Sequence, residues 1–283
     1  MRRSTCLALL TLAFAAGGCV SLDEPQIPAG AVRSDQRTAV IVYAPPGPWV
    51  TQDEDTKAES AAKILPGVGQ FMQSVQDDSD LKTAKELRQY YETWPGLESF
   101  HGALTAELRR AEYPGTPVSW AETGAPAHVL ERFNRSENVL DWRRRYFLAS
   151  QLDLRSLRDY SQVLELDGHL VLEVNLQYGL MNNAEGNSYP FLSSFSRLYR
   201  ANTMKLLWSR SDSTDDKTEP RNIYEFKSSP SLLSEKLAKL APGLAASIAG
   251  ALRTAMSTAS ADPASAAPGA PAPGAPAPAM GSG

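Results

Sequence analysis

Cysteine is almost absent from this 283-residue chain: there are two, Cys6 and Cys19, and both fall in the first nineteen residues. The body has no pair with which to build a disulfide framework. Histidine is equally scarce, with only His101, His128 and His169, and no two stand at the spacing of a zinc site. Neither charge sign is in large excess, since 28 Lys and Arg oppose 32 Asp and Glu for a net charge of −4. That balance excludes a strongly basic nucleic-acid binder. After the amino-terminal stretch, no apolar run approaches the roughly 18 residues that a membrane-spanning helix requires.

The two ends have compositions unlike the middle. Residues 1–18 read as a secretory signal peptide: Arg2 and Arg3 form a positive start, Cys6 to Ala16 an apolar stretch, and small residues follow. Residues 258–283 are nearly all Ala, Pro, Gly and Ser, including APGAPAPGAPAPA from Ala267 to Ala279. Closely spaced prolines remove donors and forbid helix, and the small residues bury too little area to offset ordering entropy. This segment is expected to be a disordered spacer. Residues 19–36, with few large apolar side chains, read as a tether, which leaves residues 37–257 as a single domain.

Ala16-Gly17-Gly18-Cys19 resembles the lipobox of bacterial lipoproteins, with Ala16 where the family prefers Leu. The resemblance implies that Cys19 is acylated on sulfur and becomes the new amino terminus. Two or more long chains, at ~0.8 kcal/mol per buried CH₂, make such an anchor effectively permanent. Val20 follows where inner-membrane lipoproteins commonly carry Asp, so the resemblance implies the outer membrane, with the body facing the periplasm.

Inside the body, Thr38 to Ala44 is a β-branched and aromatic run stopped by Pro45-Pro46-Gly47-Pro48, which predicts an interior strand with an enforced exit. Residues 59–75 and 79–92 are expected as helices, the second polar, surface-facing and capped by Ser79. Leu97, Phe100, Leu104, Leu108 and Ala111 share one helical face. Thr116 to Ala121 predicts a short strand carrying Trp120. Trp142, Phe147, Leu154, Leu157 and Tyr160 are the expected core contacts of a partly helical stretch from 139 to 166. His169 to Gly179 alternates, placing Leu170, Leu172, Val174, Leu176 and Tyr178 on a buried face and His169, Glu173, Asn175 and Gln177 on a solvated one. With Phe191 to Arg200 and Met204 to Arg210, joined at Ala201-Asn202-Thr203, it predicts an antiparallel meander. Ser231 to Ser257 reads as an amphipathic helix broken at Pro242-Gly243, with Leu244, Ile248, Leu252 and Met256 as its buried stripe. The predicted class is α+β, or α/β sandwich-like: a mixed sheet with a carboxyl-terminal antiparallel meander and packed helices.

This layout, with the hairpin LYRANTMKLLWS from Leu198 to Ser209, resembles the periplasmic α/β domain of bacterial lipoproteins related to CsgG and LpoB. The resemblance implies assembly, secretion or partner activation in the envelope, with no catalysis.

No chemical motif competes strongly. Gly186-Asn187-Ser188-Tyr189-Pro190 begins like a nucleophile elbow but ends in Pro and reads as a hairpin loop. Ser60 to Lys63 and Ser79 to Lys82 satisfy S-x-x-K without the later companions of that motif. Gly67-Val68-Gly69 has Met72 where a dinucleotide site needs its third glycine. The histidines read as surface or capping residues, and Arg143-Arg144-Arg145 as a solvated turn. Because a glycosidase needs only two suitably spaced carboxylates, Glu173 is the candidate for an alternative reading as a carboxylate-dependent hydrolase. A small-molecule binding module is the third. The leading expectation is a non-enzymatic envelope lipoprotein with Cys19 as lipid attachment site and no metal or cofactor. Its partners are the outer membrane and an envelope protein, not nucleic acid.

Overall fold

A computed structural model of the chain describes residues 27–28, 30–53, 80–91, 94–133, 139–147, 158–164 and 169–260. Seven strands form one mixed sheet: β1 (Arg37–Tyr43), β2 (Trp49–Gln52), β3 (Thr116–Val118), β4 (Leu170–Asn182), β5 (Asn187–Arg200), β6 (Leu206–Asp215) and β7 (Arg221–Asn222). The order is β3-β1-β4-β5-β6. β1 runs parallel to β3 and β4, and β2 resumes alongside β4 after the proline-rich exit from β1. β4, β5 and β6 make the expected antiparallel meander, and β7 pairs with the start of β5. β1 is interior, as its apolar run predicts, and the α+β class holds.

Helices cover one face. These are α1 (80–88), α2 (Leu97–Arg110), α5 (Ile223–Ser228) and α6 (Pro230–Ser260). Phe100, Leu104 and Leu108 of α2 and Leu233, Leu237, Leu244, Ile248 and Leu252 of α6 form one core with Leu170, Leu172, Val174, Leu176 and Leu180 of β4. Cutting any of these buried leucines to alanine costs about 2–5 kcal/mol, because the transfer loss and the cavity add. The α6 side of β5 and β6 carries small residues, Ser194 and Ser196, and Ser247 of α6 donates to Asp212 of β6 at 2.7 Å.

Several expectations are corrected here. α1 is not surface-facing: Ala84 and Leu87 lie in the core, while its proposed cap Ser79 is outside the described residues. α6 does not break at Pro242. The proline sits on the exposed side of a continuous 31-residue helix, where water can take the carbonyl it orphans. β3 ends at Val118, and Trp120 follows in a 3₁₀ turn instead of the strand. β4, β5 and β6 run longer than their hydrophobic patterns suggest, since ladder bonds carry them past the last apolar residue. Ile27 and Ala31, placed by composition in the tether, are seated in the core. Of the expected core contacts in this stretch, Trp142 and Tyr160 are fully buried; Leu154 and Leu157 lie outside the described residues.

The largest correction concerns the second face of the sheet. It is not solvated. Between β3 and β4 the chain passes through α3 (Ala127–Phe133), α4 (Val139–Trp142), a π-helical turn (Arg143–Phe147) and a 3₁₀ turn (Tyr160–Gln162). Val129, Trp142, Tyr146, Tyr160 and Leu164 from this crossover cover Ala39, Ile41 and Tyr43 of β1 and Val171 of β4. The central strand is therefore buried on both sides, as a strand with parallel neighbours usually is. At its far end β2 crosses so closely that a Cβ on Gly179 would lie 1.7 Å from the carbonyl oxygen of Trp49.

Candidate functional site

Alternation along β4 sends Glu173, Asn175 and Gln177 to the crossover side, and all three are buried. Register places Glu173 beside Ile41 of β1 and Arg197 of β5. The crossover adds Arg158 and Tyr160. Glu173 Oε2 accepts from the Tyr160 hydroxyl at 2.6 Å, and its Oε1 accepts from Asn175 Nδ2 at 2.7 Å. The Nη1 atoms of Arg197 and Arg158 stand 3.2 and 3.4 Å from Oε1. Arg158 also donates to Asn175 Oδ1 at 2.7 Å and to the Phe133 carbonyl at 3.2 Å. Its guanidinium is stacked between two rings, 3.6 Å from the centroid of Tyr43 and 3.8 Å from that of Tyr146.

Electrostatics explain why charges persist here. Burial pushes the Glu173 carboxyl toward the neutral form, but the Arg158 and Arg197 guanidiniums, with the hydrogen bonds from Tyr160 and Asn175, outweigh it and hold the pKa below the usual carboxylate range. Burial raises the Tyr160 and Tyr43 hydroxyls, and the negative Glu173 raises them further, so both stay protonated and Tyr160 donates. Glu173 thus has its oxygens filled by donors and no second acid beside it among the residues that contact it. An acid/base pair across a cleft needs a free carboxylate and room for a substrate. This carboxylate ties the crossover to the sheet.

The solvated-face reading of Glu173 is therefore wrong, and the hydrolase alternative loses the residue on which it stood. Sequence reasoning missed Arg158, Arg197, Tyr43 and Tyr160 as its partners. A signal was present: Trp120, Phe133, Trp142, Tyr146 and Tyr160 are too many aromatics for a surface connection and needed a sheet face to cover.

The other candidates are scattered. Cys19, Ser60, Lys63, Gly67 to Gly69 and Met72 lie outside the described residues. Ser188 is in strand β5, not a loop, and donates to Asn182 Oδ1 at 2.6 Å. His101 on α2 donates from Nε2 to the Val40 carbonyl at 3.1 Å, joining helix to sheet; His128 is exposed on α3, and His169 precedes β4. Among the described residues, no group of three or more His, Cys, Asp or Glu is placed to hold a metal. The arginine run is split in orientation. Arg145 is exposed, whereas Arg143 is half-buried, donates to Gln177 Oε1 at 3.3 Å and stands 5.2 Å from the Trp49 ring centroid.

No protein-family model matches the chain, and no curated protein matches it. Among solved structures, a point-variant PelC dodecamer from Paraburkholderia phytofirmans is similar at 13% identity over 81% of this chain and 95% of that one, with a TM-score of 0.31. The PelC dodecamer from the same organism gives 15% identity, 78% and 96% coverage and a TM-score of 0.24. Lipoprotein GNA1162 from Neisseria meningitidis gives 16% identity, 71% and 99% coverage and a TM-score of 0.26. At such scores the likeness carries no functional argument.

Proposed function

We propose that this protein is a bacterial envelope lipoprotein, held at the outer membrane by acylation of Cys19 and acting through contacts with an envelope partner rather than by catalysis. The observation that carries the reading is Ala16-Gly17-Gly18-Cys19 at the end of a basic-then-apolar signal. Val20 in place of Asp favours outer-membrane sorting. The engagement of Glu173 by two arginines supports a non-catalytic role, since the one acid singled out by the sequence is committed to the fold.

Packing of Ile27 adds a distance. Eight residue steps separate position 19 from Ile27, the first core side chain among the described residues, and a fully extended chain of that length spans at most about 29 Å. The body is thereby kept close to the bilayer, and its partner is sought there. The test is Cys19→Ser, followed by fractionation and fatty-acid labelling. The variant is expected in the soluble fraction and unlabelled; unchanged membrane association without label would remove the anchor from the reading.

A further inference from the structure

Arg143 has more stabilising contacts to offer than it makes. It opens the π-helical turn Arg143–Phe147, a rare element that is frequently found at functional sites. Its Nε donates to Gln177 and its guanidinium lies over Trp49, but no carboxylate among the described residues pairs with it. Burial pulls its pKa down, and no negative charge among the described residues opposes that. A half-buried cation normally finds such a partner. Gln177, on the crossover side of the central strand, is the acceptor of the Arg143 Nε hydrogen bond and carries an amide NH₂ group besides. Ser193 stands directly opposite Gln177 in register, half-buried on the same face.

We propose that Arg143, with Gln177 and Ser193 below and the Trp49 ring beside it, is a receptor for an oxyanion, either carboxylate or phosphate. The planar fork of Arg143 makes two parallel hydrogen bonds to such a group. Ser193 and the Gln177 amide supply further donors. Trp49 gives an apolar wall against which the carrier of the anion rests. This site is independent of the Cys19 anchor, so failure of either leaves the other standing.

The test uses the detergent-solubilised full chain and follows melting temperature against inorganic phosphate and, separately, acetate, each referred to chloride at equal ionic strength. A bound anion raises the melting temperature in a saturating way, whereas general salt effects act on every variant alike. Saturation with phosphate alone, or with acetate alone, supports the site and distinguishes the two sources. Arg143→Met is expected to weaken binding roughly 10- to 100-fold, the usual loss of hydrogen bonds to a charged group. Arg145→Met, which removes the exposed neighbour, is expected to change nothing. Arg143→Lys keeps the charge but not the fork, and covers the case in which the methionine variant folds poorly; it is expected to bind at least threefold more weakly. No saturable response in the wild type, or an equal response in the Arg143 variants, would overturn the proposal.

Discussion

Replacing Glu173 by glutamine changes the shape of the side chain hardly at all and removes one negative charge. In the native protein four donors converge on that carboxylate, from Tyr160, Asn175, Arg158 and Arg197. An amide presents one accepting oxygen and an NH₂ group that points donor against donor. Both guanidiniums are then left buried without a counter-charge, at a cost of about 3–5 kcal/mol for breaking a buried pair. For a body of this size each kcal/mol moves the midpoint by roughly 2–4 °C, so Glu173→Gln should melt about 6–20 °C below wild type. Denaturant unfolding and thermal melts at pH 7 measure it. The pH dependence gives the sign independently. Because the folded-state pKa of Glu173 is depressed, its contribution is fully present above the unfolded value of about 4.3 and fades as pH falls through that value toward the lower folded one. Wild type should therefore lose more stability across that window than the glutamine variant. Replacing all three charged residues together, Glu173→Leu with Arg158→Met and Arg197→Met, should regain most of the loss, since apolar side chains of similar volume carry no desolvation penalty. A glutamine variant within about 1 kcal/mol of wild type, or a triple variant no better than the single, would refute the account of this cluster.

Two further outcomes concern the backbone. Gly179→Ala puts a methyl group on the Trp49 carbonyl, which is backbone and cannot swing aside, so β2 should detach from β4 and stability fall by more than the 0.5–3 kcal/mol range common for point mutations; a melt within about 1 kcal/mol of wild type would count against the close crossing. Pro242→Ala restores the amide that can reach the Ala238 carbonyl in the middle of α6 and should stabilise by up to about 3 kcal/mol; a drop in stability would show that the proline has a packing role. The Cys19→Ser fractionation and the Arg143 titration, described above, complete the set.

Much of the architecture was written in local periodicity. Period-two alternation located β4, the Pro45-Pro46 exit ended β1, Ala201-Asn202-Thr203 marked the turn between β5 and β6, and spacings of three and four marked α2 and α6. These signals are local because each depends only on which side chains of one element must leave water. Glu173 shows where that logic fails. An alternating strand tells how side chains divide between two faces, but a polar face looks the same in sequence whether it meets water or a layer carrying complementary charge. Arg158 lies fifteen residues before Glu173 and Arg197 twenty-four after it, and no periodicity links them. Arg143 was legible as a charge but not as a half-buried one, because its burial comes from Gln177 of β4 and Trp49 of β2, which are remote in sequence.

The amino acids by themselves set a terminus that reads as an export signal, the carboxyl-terminal composition and the strand and helix segments, all of which depend on neighbours a few residues apart. Tertiary structure alone decided that Ile27 belongs to the core, that the second sheet face is roofed, and that a lone carboxylate is shared by two distant arginines. Burial is a property of the whole chain: whether a polar side chain remains hydrated depends on what some remote segment lays over it.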